Sequence, residues 1–203
     1  RFSYAGKFVT GNTGIAVVRG EPPADYESTT DPLPSLPDGL SVSEFVDGIL
    51  AAVAFNADRT DPDTLWLRYL TVRNDLRGSG LALGPRLAGF ISDRAAETGY
   101  DTLRIAVNNV FSYHALYKSG FAFTGRETGI AELVLERPAA EPAEQSTVTY
   151  QRGLDRFRER EGLSTAERDF LAAHEDAEPP EPVAPPAPAA VDSGVSNPQR
   201  PTE

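Results

Sequence analysis

Two stretches, residues 48–56 and 64–72, are apolar on both of their alternating faces, the pattern of central strands covered on two sides. The loop over residues 57–63 joins them and predicts antiparallel neighbours. Leu83, Leu87, Ile91 and Ala95 then recur every four residues with Phe90 beside them, drawing one apolar stripe along a helix that ends near Gly99. Leu103, Ile105 and Val107 alternate with Thr102, Arg104 and Ala106 as a further strand. Residues 109–119 suit a short helix closed by Gly120, and residues 121–124 and 130–136 a last pair of strands about the Gly129 turn. Alternation interrupted by hairpins implies an α/β (α+β) domain, a mixed sheet with helices packed on it.

The flanks read differently. Residues 8–10 and 15–18 predict a hairpin across residues 11–14, and residues 21–38, with five prolines in 18 positions, predict loop. Residues 151–161 and 164–174 predict two short helices parted by Gly162, the second opened by a capping box from Ser164 to Glu167. Arg152, Arg156, Arg158 and Arg160 cluster there, but Asp155, Glu159 and Glu161 interleave with them as on a solvated face. Residues 176–203 hold eight of the 17 prolines and no aromatic residue, so they cannot bury enough apolar area to offset ordering and predict a disordered acidic tail. The expected organisation is a domain over residues 1–147, a helical appendage over 148–175 and the tail over 176–203.

Composition narrows the function. Hydrophobic residues make up 40% of the 203 positions, and no uncharged apolar run approaches the roughly 18 residues of a membrane span. Nineteen basic against 30 acidic side chains give a net charge of −11, which argues against nucleic acid and anionic membranes as partners. Lys7 and Lys118 are the only lysines, a skew shared by halophilic archaeal proteomes and by GC-rich genomes. The absence of cysteine excludes disulfides and thiolate chemistry, and His114 and His174 lie 60 positions apart, so no metal site is expected. The cytoplasm is the expected location.

The sharpest local feature is residues 72–82, set between a buried strand and an amphipathic helix. Gly78 and Gly80 allow close approach to the backbone, and the first-turn amides of the helix are unpaired donors at the positive end of its dipole. Such a turn is an anion cradle. No Gly-Lys-Ser/Thr follows, and the glycine spacing does not suit a dinucleotide-binding crossover.

Arg77, Gly78, Ser79, Gly80, Leu81 and Ala82 match the Arg/Gln-x-x-Gly-x-Gly/Ala signature of the GCN5-related N-acetyltransferase superfamily. In order after it, Asn109 and Ser112, then Leu116, Tyr117, Gly120 and Phe121, resemble the family's second signature, so the resemblance covers about residues 48–137. It implies the acyl-CoA N-acyltransferase fold: a mixed, mostly antiparallel sheet whose central strand pair splays, with flanking helices and here a C-terminal helical appendage. It also implies acetyl-CoA as co-substrate, lying in the splay. Leu70, Thr71 and Val72 would offer backbone groups to the pantetheine arm, amides from Arg77 to Ala82 would hold the pyrophosphate, and Asn109 and Ser112 would face the cofactor from the second helix. Asn109 equally suits a helix cap.

The resemblance implies transfer of the acetyl group directly to an amine, with a tyrosine as the acid that protonates the departing thiolate. Tyr117 is the preferred acid, one position beyond the family's register, and Tyr113 one turn earlier is the alternative. No carboxylate stands out as general base; backbone-held water, Asp58, Asp61, Asp63 or His114 remain open. Pro85 within the signature helix requires a late start or a kink. The expected partner is an amine-bearing acceptor, a small molecule or a protein, and a homodimer is admitted. The rival expectation is a catalytically inactive acyl-CoA-binding sensor or scaffold.

Overall fold

The computed structural model describes residues 13–22 and 48–184. Its elements in chain order are β1 (Gly14–Arg19), β2 (Ile49–Ala57), β3 (Thr64–Val72), α1 (Leu83–Glu97), β4 (Thr102–Val107), α2 (Val110–Tyr117), β5 (Ala122–Glu127), β6 (Leu133–Pro138), α3 (Thr147–Arg158) and α4 (Thr165–Ala173). The described strands form one mixed sheet in the order β1-β2-β3-β4-β6-β5. Only β3 and β4 are parallel; the other four pairings are antiparallel. A parallel pair needs a crossover, and α1 supplies it.

Two irregularities of β3 shape everything downstream. Phe55 pairs with Leu67 and Ala54 with Tyr69, so Arg68 is an extra residue, a bulge that re-aims the strand. Immediately past it the ladder to β4 ends. The rungs run from Thr64 with Thr102 to Leu67 with Ile105 and stop, although β3 continues to Val72 and β4 to Val107. Beyond that point β3 stays paired to β2, as far as Val72 with Ala51, while β4 stays paired to β6, as far as Val107 with Leu133. The central pair therefore opens into a wedge, each wall braced from behind. The mixed sheet with a splayed centre expected from the sequence is present.

The apolar stripe of α1 does what its spacing predicts. Leu87, Ile91 and Ala95 are buried in one cluster with Leu65 and Leu67 of β3 and Leu103 and Ile105 of β4. That cluster continues into Tyr113, Leu116 and Tyr117 of α2, Phe121, Phe123 of β5, and Tyr150, Leu154 and Phe157 of α3. The helices expected after the sheet are thus both there, and α3 closes the core at its β5 end. Ser146 caps α3, and Ser164 with Glu167 forms the expected capping box on α4. No helix among the described residues is long and apolar enough to cross a membrane.

At the termini the expectations meet only part of the chain. Residues 15–18 lie in β1, which pairs with β2, while residues 8–10 and most of the proline-rich loop lie outside the described residues. The start of the tail does not behave as a free polymer. Gln151 Nε2 donates to Ala177 O at 2.7 Å and Val183 N donates to Lys118 O at 2.7 Å, so specific polar contacts hold residues 177–183 to the body. Residues 185–203 lie outside the described residues.

Candidate functional site

The wedge leads straight into the glycine-bearing turn. After β3 the chain makes a 3-10 turn at Asn74–Leu76, passes Gly78 at φ +73° and Gly80 at φ +81°, and enters α1 from Ala82, itself left-handed at φ 50°. Only glycine adopts the first two angles without strain, which is why the turn needs both. No side chain caps α1, and its first turn carries no acidic residue. Pro85 falls at the third helical position, where the amide it lacks has no intrahelical partner anyway. The late start thus accommodates the proline.

The amides divide in two. Arg77 N donates to Asn74 O, Ser79 N to Leu76 O and Leu81 N to Ser79 Oγ, so these three close the turn on itself. The amides of Gly78, Gly80, Ala82, Leu83 and Gly84 have no acceptor among the described residues. Five unpartnered donors at a helix N-terminus make a receptor for an anion. Leu83 and Gly84 were not among the expected binding residues; the uncapped helix start is the signal that finds them. Arg77 is exposed beside this array, with its Nε on Val72 O at 3.1 Å. Gly84 keeps α1 close to the wedge wall, since a Cβ there would lie 3.3 Å from Val72 Cγ2.

Leu70, Thr71 and Val72 form the β3 wall of the wedge past its last rung with β4, so the backbone groups they turn toward β4 have no ladder partner there. This is the edge that the resemblance assigns to the pantetheine arm. Asn109 is the N-cap of α2, its Oδ1 accepting from Ser112 N at 2.8 Å. That bond accounts for Asn109 as a helix cap and uses only the backbone of Ser112, not its hydroxyl.

The two tyrosines expected to supply the acid lie in the core. Tyr113 and Tyr117 are each 0% exposed. Tyr113 donates to Tyr150 O at 3.0 Å, and the two phenols are 3.2 Å apart. Tyr117 accepts from Phe123 N at 3.0 Å. Burial pushes both phenols above the usual tyrosine range, Tyr113 far more. An acid for a thiolate must reach the sulfur, and hydroxyls sealed between α2, β5 and α3 do not in this conformation. Either phenol would have to leave this burial to deliver the proton that the resemblance expects of it. Tyr117→Phe is therefore expected to cost about 1–3 kcal/mol, because Phe123 N loses its buried acceptor, while turnover per folded molecule stays unchanged. Chemical denaturation beside single-turnover kinetics separates the two effects; a large fall in rate at full folding would reinstate Tyr117.

Two of the loop aspartates, Asp58 and Asp61, are engaged by neighbours. Asp58 accepts from Thr60 N and Oγ at 2.8 Å and from Arg104 at 2.7 Å. Burial works against its charge, but these donors prevail and hold its carboxyl below the ordinary range. Asp61 accepts from Thr64 Oγ1 at 2.6 Å and from Asp63 N, structuring the loop.

His114 faces the C-terminal helices. Its Nδ1 shares a 2.8 Å hydrogen bond with Tyr150 Oη of α3, and its ring meets Phe170 and His174 of α4 edge-on at 5.3 and 5.1 Å. Burial, then the charges of Lys118 and His174, lower it to about 4. The unfolded chain takes up this proton near 6.5 and the folded chain only near 4, so stability is complete above the first value and lost as pH falls toward the second. Wild type should lose more stability between about pH 7 and pH 4.5 than His114→Gln does, read as urea midpoints. Parallel pH curves for the two proteins would contradict this.

No protein-family model matches the chain, and no curated protein matches it. Among solved structures, a nourseothricin acetyltransferase is 24% identical over 46% of this chain and 60% of its own, with a TM-score of 0.40. An acetyltransferase from Bacillus cereus ATCC 14579 is 16% identical over 62% of this chain and 72% of its own, with a TM-score of 0.42. A Bacillus subtilis acetyltransferase in complex with CoA is 20% identical over 44% and 69%, with a TM-score of 0.37. The chain spans about three fifths of the length of the first of these.

Proposed function

We propose that the protein is an N-acetyltransferase that binds acetyl-CoA in the wedge between β3 and β4 and passes the acetyl group directly to an amine. The observation that carries this reading is the continuity of two unsatisfied surfaces. A splayed backbone edge at residues 70–72 runs directly into five unpartnered amides at residues 78–84. An extended ligand with amide groups at one end and a diphosphate at the other fits that sequence of donors and acceptors. The residues present fit the coenzyme: the cradle would hold the diphosphate and the β3 edge the pantetheine amides.

The chemistry asks little of side chains. The neutral amine attacks the thioester carbon, a C–N bond forms, the C–S bond breaks, and the proton shed by nitrogen ends on the departing sulfur. Backbone amides at the wedge polarise the carbonyl, and holding both reactants in line supplies much of the rate. With both phenols sealed in the core, water is the carrier for the proton. The test is calorimetric titration with acetyl-CoA followed by detection of free thiol over a panel of amines. Absence of coenzyme binding overturns the reading.

The sealing of Tyr113 and Tyr117 also favours a second reading, a coenzyme-binding module that transfers nothing. Binding without thiol release over the whole panel would select it.

A further inference from the structure

We infer that the acceptor is an amine that also carries a carboxylate, and that Arg68 is the residue that recognises it. The inference rests on the acetyltransferase reading and names its substrate class.

Arg68 is the bulge residue of β3 and the first residue past the last rung to β4, so it stands at the apex of the wedge. A coenzyme whose diphosphate sits at residues 78–84 directs its thioester back along residues 72–70, toward this apex. The acceptor nitrogen must arrive there. The side chain of Arg68 lies over the indole of Trp66 at 4.3 Å, and its Nε donates to Asn56 Oδ1 at 2.7 Å. The stacked face and one edge are thereby fixed, and the guanidinium cannot swing freely. Its two Nη nitrogens have no acceptor, and Arg68 makes no ion pair, among the described residues.

The contrast with its neighbours is what gives this meaning. The charges on the same face of the sheet are matched. Arg104, beside Trp66, is paired with Asp58 and Glu136, and Arg126 with Glu136. Burial lowers the basicity of Arg68, Asp58 opposes this only through space, and the charge of Arg59 adds to the lowering. A half-buried, oriented guanidinium with its outer fork vacant is costly to keep and suited to one partner, a planar oxyanion bound by two parallel hydrogen bonds. A carboxylate fits that fork. The surplus charge also favours an anionic acceptor on an otherwise acidic protein, whose net charge is −11.

The experiment uses the full chain, acetyl-CoA, and matched pairs of amino acids and their carboxamides as probes, with release of free thiol as the readout. Wild type should prefer the carboxylate member of its best pair by about ten- to a hundredfold in kcat/KM, mainly through KM. Arg68→Ala should erase the preference and Arg68→Lys should restore part of it, while calorimetry gives all three proteins the same affinity for acetyl-CoA. Wild type that turns over amides as well as acids, or a preference that survives Arg68→Ala, overturns the inference and leaves the acetyltransferase reading intact. Coenzyme binding with no turnover of any pair also overturns it, and failure to bind the coenzyme removes both.

Discussion

Gly80→Glu is expected to abolish acetyl-CoA binding in a chain that remains folded. The site has room for a side chain: a Cβ on Gly80 would meet nothing within 4 Å. The cost to the fold is confined to the backbone angle, φ +81°, which a non-glycine residue adopts at roughly 1–2 kcal/mol. The cost to the ligand is much larger. A carboxylate would stand among the amides of Gly78, Ala82, Leu83 and Gly84, neutralise the field of the α1 N-terminus and repel two phosphates at contact range. Two charges about 4 Å apart interact by about 1–4 kcal/mol between bulk water and a surface cleft, so two such repulsions amount to at least about thirtyfold in affinity and, in the cleft, far more. Gly80→Ala is the control, since it carries the same backbone strain without the charge. It should bind within about tenfold of wild type. Calorimetry on both variants, with circular dichroism to certify the fold, decides the matter. Undiminished affinity in the glutamate variant would place the diphosphate somewhere other than the turn.

The second large effect runs against helix propensity. Gly153 lies inside α3, where alanine is ordinarily better by about 1 kcal/mol. Here Gly153→Ala is expected to destabilise by about 2–4 kcal/mol. A Cβ at this position would fall on the hydroxyl and Cζ of Tyr113 and 2.7 Å from its Cε2. Tyr113 has nowhere to retreat. Tyr150 stacks on it at 5.7 Å, while Tyr117, Phe157 and Phe123 close in at 5.0, 5.5 and 6.2 Å. The helix itself would have to move off the sheet. Urea denaturation reads the loss, and combining it with Tyr113→Leu, which clears the ring, should return part of it. Strict additivity of the two substitutions, or an alanine variant as stable as wild type, would show that the contact is not the reason for the glycine.

Much of the fold was legible because periodicity and burial coincide. The two-sided apolar runs became β2 and β3, and the four-residue stripe became the buried face of α1. The wedge was legible only through a family resemblance, since an unpaired strand edge leaves no periodic trace; Arg68 reads as any other polar residue in an apolar run until its register with Ala54 and Phe55 is known. The cradle was half legible. Glycines at 78 and 80 announce a turn, but which amides the turn consumes depends on backbone geometry that spacing does not encode. The burial of the tyrosines was illegible for a different reason. Helical spacing puts Tyr113 and Tyr117 on one face but says nothing about what covers that face, and the covering element is α3, more than thirty residues on.

That last arrangement bears on how the chain is made. Because Tyr150, Leu154 and Phe157 complete the aromatic cluster beneath β5, a nascent polypeptide leaving the ribosome holds an unfinished, greasy sheet surface until Phe157 has emerged. A surface of that kind invites chaperone engagement and premature self-association, and the exposure ends when the third helix docks.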